Sequence, residues 1–461
     1  MSKYFSVLLI VFFAIQAQSQ AIEGTLLGRW FDNSLVPSSA HFNTYNEIWG
    51  LAVNDHEFAV IGSTLGTHFI DVTDPNNPEE LFVVEGGSIG AQIIHRDFHD
   101  YKGYLYSIAD EGSQTSLQII DITQLPDTLE VVYDDRKYFT RSHNIFIDTA
   151  TARLYSLISN GTSFGYAPMR IFDISNPIDP QPIGAYYDLD GYGISQVHDA
   201  FVRNDTAYLN LGPGGFALVD FENVDTPNVI SVLDPFDYPQ AGYNHSGWPT
   251  DNGDFYYMAD ENIGKDIKVM DMRNLPEIEV PYTFNASNVE QSIPHNQLVH
   301  GDKLYVSYYF HGLQVYDLSN PAIPEKVMYY DTSDEIPAPN LYRGAWGVYP
   351  YLPSGNILVS DMQNGLFVIA GLETTSTNEE VVLHEMITYP NPAYSFITID
   401  LPEASANISQ YSIYGMDGQL VKKGNYQSGA QISVENLNRG LYLIEIKSDS
   451  KRYINQISIE K

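Results

Sequence analysis

One phrase recurs seven times between Trp49 and Trp346: a bulky or histidine residue, an aromatic-rich strand, a Tyr-Leu-Tyr-like strand, then an apolar run closing on aspartate. The copies open at Trp49, His95, His143, His198, His245, His295 and Trp346, a mean step of roughly 50 residues, which is the period of a propeller blade. Second strands such as Tyr104-Leu105-Tyr106-Ser107-Ile108 and Lys303-Leu304-Tyr305-Val306-Ser307 are short, rich in aromatic and β-branched residues, and bounded by Gly and Asp/Asn turns. Third strands close on Asp71, Asp121, Asp173, Asp220, Asp271 and Asp317, usually before a Thr/Ser-Asn/Asp-Pro turn. These aspartates read as turn caps, bonding the backbone two residues on, rather than as metal ligands.

Four strands in about 45 residues cannot bury both faces of a small sheet, so the copies must pack face to face around an axis. The sequence therefore predicts an all-β chain, a seven-bladed β-propeller followed by a small C-terminal Ig-like β-sandwich. The last copy supplies only three strands before Leu372. The segment from Gly24 to Asp32 mimics a fourth strand such as Pro182 to Asp188, and so is expected to complete blade seven and close the ring.

Residues 22–372 resemble the LVIVD-repeat propellers of the choice-of-anchor B family. The carriers are Ser142-His143-Asn144-Ile145-Phe146-Ile147-Asp148, Val197-His198-Asp199-Ala200 and Gly344-Ala345-Trp346-Gly347-Val348-Tyr349-Pro350-Tyr351. The resemblance implies a bacterial extracellular protein and supplies no activity.

Both ends of the chain bear on where it works. Residues 1–20 carry an early lysine, an apolar run from Val7 to Ile15 and a small-residue exit at Ala17-Gln18-Ser19, as in a cleavable secretory signal. No other stretch approaches the roughly 20 apolar residues of a membrane-spanning helix. With no cysteine there are neither disulfides nor thiolate metal sites, and a core of more than 300 propeller residues must suffice for stability. Residues 373–385 read as a linker, polar from Glu373 to Glu380. In residues 386–461 acidic and basic side chains balance at seven each, so the whole surplus of 35 negative charges lies upstream. The tail opens with Tyr389-Pro390-Asn391-Pro392, turns at Asp417-Gly418 and continues through Asn438-Arg439-Gly440-Leu441-Tyr442 to a basic end. In these features it resembles the C-terminal sorting domain of the type IX secretion system. That resemblance implies a Bacteroidota-type source, transit through the periplasm, and the type IX machinery as partner of residues 386–461; the alternative is an ordinary adhesive β-sandwich.

The acidic propeller disfavours nucleic acid and anionic lipid and suits divalent cations or neutral and cationic ligands. Because the end of strand two lies opposite the start of strand one, His95 is expected beside Asp110 and Glu111, His245 beside Asp260 and Glu261, and Trp346 beside Asp361. Blades three, four and six offer Asn160, Asn210 and Tyr308 or Tyr309 to His143, His198 and His295. Equivalent positions in a ring of blades form a circle, so five imidazoles, several carboxylates and the aromatic faces of Trp49 and Trp346 should share one channel mouth. Such a set can hold Zn, Mn or Fe through neutral imidazole with carboxylate support, and Ca through its oxygens. The competing reading is a His-Asp staple within each blade, against which stand the Trp substitutions and the uneven distribution of carboxylates. Tyr166, Tyr192, Tyr243, Tyr309 and Tyr342 fall near strand ends and suit a carbohydrate or peptide, although most of the 34 tyrosines are expected in blade packing. Gly212-Pro213-Gly214-Gly215, Asp188–Gly191 and Asp251–Asp254 read as simple turns. Two functions remain open at this level: a secreted or surface-displayed binding or adhesion propeller, and a metal-dependent extracellular hydrolase or lyase using the same ring.

Overall fold

The computed structural model describes residues 21–286, 292–333, 341–372, 383–400, 409–415, 420–426, 431–448 and 451–460. The expected secretory leader, residues 1–20, and most of the expected linker lie outside the described residues. The chain divides into two compact units, Met1–Leu372 and Glu373–Lys461. Among the described residues the single helical element is the short 3-10 turn Pro235–Asp237, and no helix is long and apolar enough to cross a membrane.

The first unit is a seven-bladed β-propeller of four-stranded antiparallel sheets. Blade one runs Tyr45–Val53, His56–Ser63, Gly66–Asp71 and Glu79–Glu85, and blades two to six repeat that order. In blade seven Ala345–Tyr349, Ile357–Asp361 and Gly365–Ile369 are joined by the N-terminal strand Leu26–Trp30, with Leu26 opposite Ile369 and Trp30 opposite Leu366. A two-residue strand, Ile22–Glu23, adds in parallel to the outer edge of blade six.

Apolar side chains on both faces of each sheet explain why the blades cannot stand alone. Phe58, Val60 and Phe69 of blade one pack on Phe98, Leu105 and Ile120 of blade two. Tyr155, Leu157 and Ile171 of blade three meet Ala200, Leu209 and Val219 of blade four. The ring closes where Ile48, Ala59 and Ile70 meet Leu358, Leu366 and Val368 of blade seven. Fully burying such a side chain contributes about 1.5–3 kcal/mol, so the ring is held mainly by its blade-to-blade faces.

The repeated aspartates cap turns: the side chains of Asp71, Asp121, Asp173, Asp220, Asp271 and Asp317 each accept the backbone N–H two residues ahead, at 2.7–3.1 Å. The second-strand tyrosines latch neighbouring blades, Tyr106 donating to the Pro177 carbonyl at 2.6 Å and Tyr257 to that of Pro321 at 3.0 Å. Much of the tyrosine load is therefore architectural.

The second unit contains a five-stranded and a three-stranded sheet. Ile397, Ile413, Ile444, Ile446 and Ile457 are buried together in its core, consistent with the alternating apolar pattern of its strands. The two sheets give it the layered form of a small β-sandwich.

Candidate functional site

The first strand of each blade lines the central channel, and its opening residues converge at one end. Ring centroids are 4.8 Å apart for His95–His143, 4.2 Å for His143–His198, 4.2 Å for His198–His245 and 4.4 Å for His245–His295. His295 is 4.7 Å from Trp346, and Trp346 is 5.2 Å from His95. Five imidazoles and one indole thus form a closed circle around a cavity of about 150 Å³, into which His41, Glu47, Glu261, Tyr309 and Tyr342 also project.

Hydrogen bonds on the wall side fix the tautomers. His143 Nδ1 lies 2.9 Å from Asp110 Oδ2, His198 Nδ1 3.0 Å from the His245 carbonyl, and His295 Nδ1 2.5 Å from the Trp346 carbonyl. A carboxylate or carbonyl oxygen only accepts, so each Nδ1 carries the hydrogen and Nε2 keeps its lone pair. Burial drives the three pKa values down: His143 lies below the ordinary imidazole range, His198 well below it and His295 at about 3. Burial and the neighbouring imidazoles depress His245 in the same way, and its Nδ1 has no partner. His95 differs. Burial opposes its charge, but the Glu111 carboxylate bonded to Nδ1 outweighs burial and raises its pKa.

The carboxylates fall into two kinds. Asp110 and Glu111 act from behind the imidazoles, Asp110 also pairing with Arg141 at 2.7 Å and Glu111 also accepting the backbone N–H groups of Ile94 and His95. Glu261 faces the hollow: its Oε2 is 3.8 Å from His245 Nε2, and Tyr309 donates to Oε1 at 2.5 Å. Burial pushes the Glu261 carboxyl up to about 7. The potential ligand atoms of His245, Glu261 and His295 lie within 4.8 Å of one another, a two-imidazole, one-carboxylate set of the kind that holds divalent transition metals. His95, Asp110 and His143 meet the same distance limit, but Asp110 already accepts the His143 Nδ1 hydrogen, so its role there is to orient a ligand.

Several expectations are corrected. His95 pairs with Glu111, whereas Asp110 reaches across to His143 of the next blade. Asp260 points away from the circle to Lys268 Nζ at 2.7 Å inside blade five, both side chains being fully buried. Asp260 ends its strand and Glu261 lies just beyond it, the one side chain turning to Lys268 and the other to the hollow. Asp361 is likewise within its blade, accepting from Thr332 Oγ1 and the backbone N–H groups of Gln363 and Asn364. Trp49 is not on the circle. It pairs with Val60 three residues further along its strand, and its indole donates to Asp100 at 2.9 Å. Asn160 and Asn210 stay on the blade sheets, whereas the Tyr309 ring lies 4.8 Å from that of His295, tilted by 56°.

A second layer was missed. The register aligns Ile48, Phe98, Ile145, Ala200, Gln297 and Val348 by their second-strand partners, so the residues just before them form one ring: Glu47, Asp97, Asn144, Asp199, Asn296 and Gly347. In blade seven a Cβ at Gly347 would stand 2.3 Å from Glu47 Oε1, so the glycine leaves room for the Glu47 carboxylate. The sequence does carry a signal for this layer, the dipeptides His143-Asn144, His198-Asp199 and His295-Asn296.

Comparison with known proteins adds the following. Residues 387–460 match the family model described as "Secretion system C-terminal sorting domain", so the tail is a type IX sorting domain. A search of curated proteins finds no match. Among solved structures, the extracellular domain of a hybrid two component system from B. thetaiotaomicron is similar at 10% identity, TM-score 0.48, over 94% of this chain and 57% of that one. That of a one component system from B. thetaiotaomicron is similar at 12% identity, TM-score 0.45, over 96% and 60%. The chain therefore spans less than two thirds of either domain. The RRP9 WD40 repeats are similar at 8% identity, TM-score 0.50, over 73% of this chain and 98% of that one, a likeness of fold alone. Fold and tail together define the class: a β-propeller exported to the cell surface or beyond it by its C-terminal sorting domain.

Proposed function

We propose that this is a propeller of the LVIVD-repeat, choice-of-anchor B type from a Bacteroidota-like bacterium that binds an extracellular ligand at its channel mouth through a divalent transition metal. His245, His295 and Glu261 hold the ion, and the lone pairs of His143 and His198 complete the imidazole cage. One observation carries the reading: wall-side acceptors hold Nδ1–H on three neutral histidines of a single closed circle, the arrangement that orients imidazoles for a metal. A staple within a blade would not bring the rings of successive blades to within 4.2–4.8 Å of one another. Tyr342 beside the mouth suits a carbohydrate or peptide that meets the ion from outside.

Elemental analysis of the secreted chain tests it. Near-stoichiometric zinc, manganese or iron is expected, lost in His245→Ala with the circular dichroism spectrum retained. A metal-free protein that also takes up none on titration would sink the reading.

A metal-dependent hydrolase or lyase is the second reading, favoured by the Glu261 carboxyl near 7 and its hydrogen bond from Tyr309. There the imidazoles alone would hold the ion and Glu261 would take the proton of an attacking water. Glu261→Gln separates the two readings: turnover of a polysaccharide or peptide substrate lost with metal retained supports the enzyme, whereas metal lost with no turnover in the parent supports binding.

A further inference from the structure

We propose that the channel holds a second, chemically different ion beneath the imidazole circle: a hard divalent cation such as Ca²⁺, bound by the oxygen layer of Glu47, Asp97, Asp199, Asn296 and Gln297 with water completing its shell. These five residues, with Asn144, line a separate cavity of about 70 Å³. Glu47, Asn144 and Asn296 line both hollows, so the mouth and the lower cavity communicate through them.

Three facts point to a ligand. The first is charge. Glu47, Asp97 and Asp199 enter this cavity from three blades, and no lysine or arginine lines it. His99, also in the wall, bonds the Asp100 carbonyl through Nδ1, and burial lowers its pKa. An ionised carboxylate enclosed by protein needs a counter-charge or must take up a proton. The second is an orphaned acceptor. Gln297 is 2% exposed, and its Nε2 donates to both the Ser246 and Tyr257 carbonyls, which fixes the amide orientation and leaves Oε1 without a partner. Asn296 repeats the pattern, Nδ2 donating to Glu47 Oε2 at 2.9 Å and Oδ1 unpartnered. The third is donor class. Carboxylates, amide oxygens and water are the ligands of calcium, whereas the imidazoles above suit softer ions.

Trp49 and Trp248 line the same cavity, so Tb³⁺, a luminescent stand-in for Ca²⁺, should emit there when tryptophan is excited. With the full secreted chain, sensitised emission is expected, displaced by Ca²⁺ and weakened at least about tenfold in Asp97→Asn/Asp199→Asn, as loss of ligand charge dictates. It should survive in His245→Ala, which removes a ligand of the upper ion only, so this inference and the metal reading of the circle fail separately. Emission that is absent, indifferent to Ca²⁺, or unchanged in the double variant overturns the proposal. Should the double variant misfold, Glu47→Gln decides: its amide oxygen still accepts from Ile48, so full-strength emission there overturns the proposal and reduced emission supports it.

Discussion

Acids enclosed in the blades and acids enclosed in the channel are treated differently by this fold. In blade five Asp260 meets Lys268 at 2.7 Å, and in blade seven Asp361 accepts three hydrogen bonds. The channel acids accept from neutral donors: Asp97 from the backbone of Phe98 and Ile145, Asp199 from that of Ala200 and from Asn144, Glu47 from that of Ile48 and from Asn296, and Glu261 from Tyr309. A carboxylate whose needs are met by its own blade is part of the scaffold. One left facing like charges and orphaned amide oxygens across a hollow is arranged for something that enters the hollow.

The largest effect should come from breaking a blade pair. Lys268→Met leaves Asp260 buried without its cation, and the loss of one partner from such a pair costs about 3–5 kcal/mol. Chemical denaturation should show that loss while zinc per folded chain stays at the parental value. Loss of metal at unchanged stability would place Asp260 in the site after all.

Next is a pH effect confined to Asp361. Burial raises its carboxyl to about 6, above its unfolded value, so its contribution is fully present below the unfolded pKa and is lost as pH rises through the folded one. Two pKa units correspond to roughly 3 kcal/mol. Relative to Asp361→Asn, the parent should therefore lose up to about that much stability between pH 4 and pH 6.5. Parallel stability curves for the two proteins would show that the hydrogen bonds from Thr332, Gln363 and Asn364 hold the carboxylate ionised throughout.

Much of this contrast was legible in the sequence, and the parts that were not have a common cause. The seven blades, the turn aspartates and all six rings of the circle follow from periodicity, because a propeller makes equivalent positions neighbours; Trp49 is the one opening residue that does not join them. What periodicity cannot resolve is a shift of one residue within a strand. Glu261 and Asp260 are adjacent, and the repeat alone does not say which of them faces the channel. Trp49 likewise opens its copy of the repeat, but the register sets it opposite Val60 and in the wall of the lower cavity. The oxygen layer escaped notice because residues next to a histidine are expected to turn away from it, whereas Asn144 and Asn296 line the same cavity as His143 and His295.

Two smaller effects sharpen the comparison from the channel side. Asp110→Asn keeps an acceptor for His143 Nδ1 but removes the charge shared with Arg141, and changes to such supporting groups weaken metal binding about 10–100-fold. Competition with a zinc chelator measures this, and an unchanged affinity would reduce Asp110 to a scaffold acid like Asp361. Tyr309→Phe is gentler: Glu261 keeps its position beside His245 but loses the donor on Oε1. A hydrogen bond to a charged group contributes about 1.5–3 kcal/mol, and water from the open mouth can replace part of it, so a zinc affinity lowered by roughly tenfold is expected. Because Tyr309 lines the upper cavity and not the lower one, terbium emission from the lower cavity should not change. A parallel fall in both signals would mean that the two layers form a single coupled site.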